Sequence, residues 1–118
     1  MANAAQRFEE AGLVITHPWW NLEGKEDDPV YLCQCAEYDV LGVVSAHVLV
    51  VLNTQKSEGK AVEQGIAIAM GIPIVLIGEK SNIFHHLNIY QVHDIDGAIE
   101  MVKWLTTPAP ETPLVTES

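Results

Sequence analysis

Val48-Leu49-Val50-Val51-Leu52 is uniformly apolar and rich in β-branched residues, with no polar position alternating through it. Such a run reads as a strand covered on both faces, the situation of a strand inside a parallel sheet. After it comes Ser57-Glu58-Gly59-Lys60-Ala61-Val62-Glu63-Gln64-Gly65, the opening of a small-residue helix expected over about 60–70 and ended by Gly71. Residues 73–77, started by Pro73, supply the next strand. Strand, helix and strand of these lengths make a βαβ unit.

Upstream, Asn3-Ala4-Ala5-Gln6 resembles a capping box, and Ala5 and Phe8 begin an apolar stripe, so a helix is expected over 3–11, ending at Gly12. Residues 13–17 read as a buried strand stopped by Pro18, and 18–28 as a polar loop carrying Trp19 and Trp20. Pro29 suits the first turn of a second helix over about 29–43, which delivers Asp39 in its C-terminal half. Downstream, 89–93 reads as a shorter, edge-like strand. Asp96 is the expected cap of a last helix with Ile99, Val102 and Trp104 or Leu105 inward. The segment 106–118 holds three prolines and no periodicity, and it reads as a flexible tail behind one domain over 1–105.

This alternation is that of an α/β, flavodoxin-like or Rossmann-like doubly wound parallel sheet, which binds ligands at the carboxyl ends of its strands. One feature departs from it: the chain opens on a helix, so the usual first strand is lacking. In a flavodoxin-like order that strand is central, here between 13–17 and 48–52, and its omission would leave two strands without partners. Either the sequence is shortened there, or another element or a subunit fills the gap.

Six basic against sixteen acidic residues give a formal charge of −10, which repels nucleic-acid phosphate and anionic membranes, so neither a polynucleotide nor a membrane partner is expected. A single small anion escapes that exclusion, because a helix start can hold it with local amides. Cys33 and Cys35, one residue apart in a helical segment, point in different directions and are expected to be reduced packing thiols. No Cys-x-x-Cys or His-x-x-x-His is present, so no metal site and no cofactor are expected. No apolar run reaches membrane-spanning length and no signal-peptide pattern opens the chain, so a cytoplasmic protein is expected.

The chemistry-bearing candidates gather around the βαβ unit. Glu63 is expected on the first turn of its helix, beside Gly59 and Lys60, where the helix dipole holds a carboxylate ionised. On spacing alone it reads equally as a carboxylate that merely satisfies the dipole, and Asp39 as a solvated helix residue. Ser57 is ordinary turn chemistry, Gly59 can shape the turn, and Gly65 can let the helix approach a strand. His17 ends the first strand on the ligand edge, and Asn82 and His85 lie beyond the carboxyl end of strand 73–77. His47 reads as structural. Trp19 and Trp20 fit either a base-stacking or a lid role.

From Asp39 through the apolar strand, Ser57-x-Gly59-x-x-x-Glu63-x-Gly65 and Ala67-x-Ala69-Met70-Gly71-Ile72-Pro73-Ile74, the chain resembles the nucleoside 2-deoxyribosyltransferase family, including its members that hydrolyse deoxynucleoside 5′-monophosphates. The resemblance covers about residues 3–105. It implies that Glu63 is a nucleophile attacking the anomeric carbon of a deoxyribosyl unit, and that Asp39 helps protonate the leaving base or orient the sugar. It also implies that Ser57, where the transferase branch carries an acidic residue, receives a 5′-phosphate together with the amides of Gly59 and Lys60. A small nucleoside or nucleotide is the implied ligand, and a homodimer or higher homo-oligomer the implied assembly. The family's usual opening strand, apolar-Tyr-Leu-Ala, has no counterpart at the N-terminus. The alternative is a non-catalytic nucleotide-binding or assembly module on the same fold.

Overall fold

Five strands, all parallel, form one sheet in the order β1-β5-β2-β3-β4 in the computed structural model, which describes residues 2–15, 27–53, 58–87, 89–107 and 114–117. In chain order the elements are α1 (Ala2–Glu10), β1 (Val14–Ile15), α2 (Pro29–Ser45), β2 (Val48–Leu52), α3 (Glu58–Met70), β3 (Ile74–Ile77), a 3-10 turn (Ile83–His86), β4 (Ile89–Val92), α4 (Ile95–Leu105) and β5 (Leu114–Glu117). The expected doubly wound α/β fold is therefore present. Helices α1 and α4 cover one face, α2 and α3 the other.

The apolar run that suggested a two-sided strand meets both layers. Val48 and Val50 pack with Phe8, Ala98 and Val102 on the α1/α4 side, while Leu49 and Val51 pack with Val43 and Ala67 on the α2/α3 side. Each of the four is 0 % exposed. β3 repeats the division, with Val75 and Ile77 on one side and Ile74 and Leu76 on the other, as the two-residue period of a strand requires.

The vacant place between β1 and β2 is filled by β5. Val14 and Ile15 pair with Leu114 and Val115 on one edge, and Val48, Leu49 and Val50 pair with Val115, Thr116 and Glu117 on the other. The reading of 106–118 as a flexible tail is thus corrected for 114–117, and the domain extends to this segment. Three prolines ahead of it and only two apolar residues within it hide a strand of four, because so short a segment shows no period and owes its place to backbone pairing on both sides. The resulting order is that of a flavodoxin-like sheet in which the position usual for a first strand is held by residues 114–117.

Local signals set the helix ends. Asp28 caps α2 by accepting from the N–H groups of Val30 and Tyr31 at 3.1 and 3.3 Å, with Pro29 inside the first turn. Helix α3 stops at Gly71, whose φ of +71° allows Ile72 N–H to reach Ala67 O at 2.8 Å and Gly71 N–H to reach Ile68 O at 3.2 Å. Helix α4 is capped by Asp94, which accepts from Gly97 N–H at 2.7 Å, not by Asp96 as the sequence suggested. Asp96 instead pairs with Arg7 of α1, a partly exposed ion pair that contributes little. Inward, α4 sends Ala98 and Val102, with Leu105 half-buried, and leaves Trp104 exposed against the edge of Tyr90. Helix α1 begins before Asn3, which therefore lies within it rather than capping it.

Thr116 carries a cost. It alternates with Val115 and so faces the α2/α3 side, where it is 0 % exposed and its hydroxyl has no hydrogen-bond partner among the described residues. Burying an unsatisfied hydroxyl costs about 1–3 kcal/mol. Thr116→Val, which keeps the branched shape and removes the polar atom, is expected to stabilise the protein by about 1–2 kcal/mol in a urea titration; an unchanged or lower midpoint contradicts the packing described.

Candidate functional site

The carboxyl ends of β2 and β3 are bound together by a continuous polar network. Asn53, which follows β2, receives its backbone register from β3, with Asn53 N–H on Ile77 O at 3.0 Å. Its side-chain amide donates to Glu79 O and to Ser81 Oγ, the latter at 3.2 Å. Gly78 makes the turn possible: its φ is +115°, and a Cβ there would stand 3.4 Å from Asn53 O. Gly78 N–H reaches Val92 O at 3.2 Å, and Gln91 Nε2 returns to Gly78 O at 2.7 Å, so the loop after β3 is tied to β2, β3 and β4 together.

From that loop the network enters α3 through His85. The ring is 1 % exposed. Its Nδ1 accepts from Ser81 N–H at 2.9 Å, so the proton of the neutral ring is on Nε2, which donates to Gln64 Oε1 at 2.8 Å. Asn82 caps the 3-10 turn, its Oδ1 accepting from Phe84 N–H at 2.9 Å and His85 N–H at 3.2 Å. Both residues had been candidates for contact with a ligand. The structure gives them to the scaffold, with His85 buried and both ring nitrogens engaged, and Asn82 Oδ1 used by backbone amides.

Burial holds His85 below the ordinary imidazole range, and the positive charges of His86 and Lys80 act in the same direction. The folded chain therefore keeps the ring neutral where the unfolded chain, with its ordinary pKa near 6.5, takes up a proton. Stability linked to His85 is fully present above about pH 6.5 and falls as pH drops below it, until the lowered folded value is reached. A lower urea midpoint is expected at about pH 5.5 than at about pH 7.5, with a smaller difference in His85→Gln; equal differences in the two proteins would assign the effect elsewhere.

Gln64 and Glu63 are neighbours on α3 with different directions. Successive helical residues turn by about 100°. With Gln64 toward the 3-10 turn and Ala67 against the sheet, Glu63 falls on the flank of α3 nearer α2. It is half-buried, and its Oε2 is shielded from solvent. Because α3 begins at Glu58, Glu63 is its sixth residue and stands in the second turn. The expected first-turn dipole support is corrected accordingly, since that effect fades within the first turn.

Asp39 is half-buried on α2, in the row Cys35, Asp39, Val43 whose outer members are both buried. At 1.5 Å per residue it lies about 15 Å along α2, whereas Glu63 lies about 7.5 Å along α3, so Glu63 is nearer the carboxyl edge. The two helices pack against one another in the same layer.

Gly59 and Lys60 occupy the first turn of α3, where helix amides face the carboxyl edge. The Lys60 ammonium is half-buried and donates to Leu52 O at 2.6 Å, which ties the start of α3 to the end of β2. Gly65 does not approach a strand: it is exposed, and a Cβ there would meet nothing within 4 Å. Ser57, His17, Trp19 and Trp20 lie outside the described residues.

Sequence reading passed over Asn53 and Gln64. Asn53 was signalled only by being the first polar residue after an apolar strand, and Gln64 by being polar at an inward position of a helix otherwise rich in small residues. Among the described residues no group of three His, Cys, Asp or Glu side chains is placed to hold a metal ion, and no helix is long and apolar enough to cross a membrane. Cys33 is exposed and Cys35 buried, both as free thiols, so only the second is a packing thiol.

The fold and site thus define a doubly wound α/β protein with carboxylates on two adjacent helices and an amide-bearing helix start at its carboxyl edge. No protein-family model, curated protein or solved structure matches the chain.

Proposed function

We propose that the protein cleaves or transfers the N-glycosidic bond of a 2′-deoxynucleoside or, preferably, its 5′-monophosphate, in the cytoplasm and without a metal or cofactor. The observation that carries this reading is Glu63: a half-buried carboxylate with one shielded oxygen, held on a helix that the Gln64–His85 bond locks to the end of the sheet. A nucleophile needs that combination of partial desolvation and fixed direction. Glu63 attacks the anomeric carbon as the bond to the base breaks, giving a covalent deoxyribosyl-enzyme, which water or a second base then resolves. Asp39 on the adjacent helix assists departure of the base or orients the sugar. The phosphate meets the Ser57 hydroxyl and the amides of Gly59 and Lys60 at the start of α3, where the dipole favours negative charge.

A second reading, a non-catalytic nucleotide-binding or assembly module, is favoured by the strand between β1 and β2. The segment holding that place is Leu114-Val115-Thr116-Glu117, without the tyrosine that the family resemblance would put there. Incubation with deoxynucleoside 5′-monophosphates, followed by chromatography of free base, separates the two. Base release supports catalysis; calorimetric binding without release supports the module; neither release nor binding overturns both.

A further inference from the structure

Among the described residues β4 pairs with β3 alone, over the whole run Ile89–Val92, so its other side is an open sheet edge. Val92 O accepts from Gly78 N–H at 3.2 Å on the β3 side. By the alternation of a strand, the N–H and C=O of Gln91 therefore point away from β3. Sheet edges are ordinarily blunted by proline, by charge or by extreme shortness. The opposite edge, β1, is two residues long. Ile89-Tyr90-Gln91-Val92 contains neither proline nor charge and matches its neighbour residue for residue.

A hollow lies on each face of this edge. On the α3 side a cavity of about 550 Å³ is lined by Ile68, Ile72, Pro73, Leu87 and Ile89, and Ile68 and Leu87 are 37 % and 52 % exposed. On the α4 side a cavity of about 760 Å³ runs between β4 and the row Gly97, Glu100, Met101 and Trp104. Both are lined by β4 itself, yet they differ in character. The first holds no titratable side chain among the described residues besides His86 and Tyr90. The second carries Asp94 and Glu100, no lysine or arginine among its described residues, and the 67 % exposed indole of Trp104, met by the edge of Tyr90 at 6.3 Å. Glu100 and Trp104 are four residues apart on one helix face, and together they suit an ammonium or guanidinium group, by charge and by the negative face of the ring.

We infer that the open edge of β4 adds an extended basic segment of another protein as a further strand, with apolar side chains toward Ile68 and Leu87 and arginine or lysine toward Glu100 and Trp104. Backbone bonds to Gln91 hold the added strand, and its alternating side chains enter the two cavities, which is how strand addition obtains affinity and specificity. The two-residue period of an incoming strand calls for a pocket on each face of one edge, and this edge has both. Charge selects the partner. At −10 the chain attracts a basic segment and repels its own copy, and Asp94 and Glu100 bring that attraction to the edge itself. The nucleoside reading rests on α2 and α3 and is independent of this edge.

Calorimetric titration of the full chain with a short peptide of alternating leucine and arginine tests it, with circular dichroism to follow folding. Saturable binding of one peptide per chain is expected, and glutamate in place of arginine should abolish it. Glu100→Lys is expected to weaken binding by about ten-fold or more and Trp104→Ala by about five-fold, both being exposed positions that leave the core alone. The decisive comparison alters only the peptide. Its leucine amides and its arginine amides point to opposite sides of a strand, so N-methylation of one set is expected to weaken binding at least about ten-fold more than methylation of the other. No saturable binding, equal effects of the two methylations, or unchanged affinity in both Glu100→Lys and Trp104→Ala overturns the inference. A wild-type dimer in sedimentation velocity that the peptide dissociates would give the edge to a second copy and overturns it as well.

Discussion

Removal of residues 114–118 is expected to abolish cooperative folding, an outcome that a five-residue segment with only two apolar side chains would not ordinarily suggest. β5 is an interior strand, and its backbone pairs with β1 on one side and β2 on the other. Without it, among the described residues β1 loses its only strand partner and β2 keeps β3 alone. The N–H and C=O groups on the facing edges of β1 and β2 would then lose their partners, at about 1–3 kcal/mol for each unsatisfied group. Val115 and Thr116, both 0 % exposed, leave a cavity in addition. Against a net stability of about 5–15 kcal/mol for a domain, these losses exceed what is available. Val115→Asp reports the same dependence by a single change, since it buries an unpaired carboxylate and is expected to cost more than about 4 kcal/mol. Circular dichroism during heating and urea titration measure both, and a shortened chain that melts at the wild-type temperature would remove β5 from the interior of the sheet.

Glu63→Ala is expected to lower base release from deoxynucleoside monophosphates by at least about 10³-fold while leaving the fold intact. In the proposed reaction Glu63 is the nucleophile, so its removal eliminates the covalent intermediate, and with it the division of one difficult displacement into two easier ones. Folding survives because alanine is the best helix former and because the Gln64–His85 bond that ties α3 to the loop after β3 is left in place. Glu63→Asp withdraws the carboxylate by one methylene and should retain a small residue of activity, since reacting atoms tolerate little displacement. Asp39→Asn should slow release less, because Asp39 is farther from the carboxyl edge and in the proposed reaction assists rather than attacks. Equal release by Glu63→Ala and wild type would transfer the nucleophile to another group.

The legible parts of the fold share a property. β2 was bounded at 48–52 by five consecutive apolar residues, and the start of α2 by Pro29, because each signal is complete within a few residues. Where two similar residues competed, the local reading erred: Asp94 and Asp96 both suit a cap, and the choice fell to whichever accepts from Gly97 N–H. The partners of His85 were beyond reach, because Gln64 is 21 positions away and only the return of the chain past β3 brings them together. The outward direction of Gly65 was equally hidden, since a glycine is permitted on either side of a helix and the neighbours decide which.

The sequence by itself determined the helices, the apolar strands and the placement of Glu63, Gly59 and Lys60 near the carboxyl edge of a parallel sheet. These follow from periods of two and 3.6 residues and from cap and turn chemistry, which act between near neighbours. Only the tertiary structure decided that residues 114–117 lie between β1 and β2, that His85 is buried with both ring nitrogens engaged, and that Glu63 stands in the second turn on the flank toward α2. Pairing of strands and packing of layers depend on groups far apart in the chain, and the hydrogen bonds of a backbone are the same for every residue that can reach them.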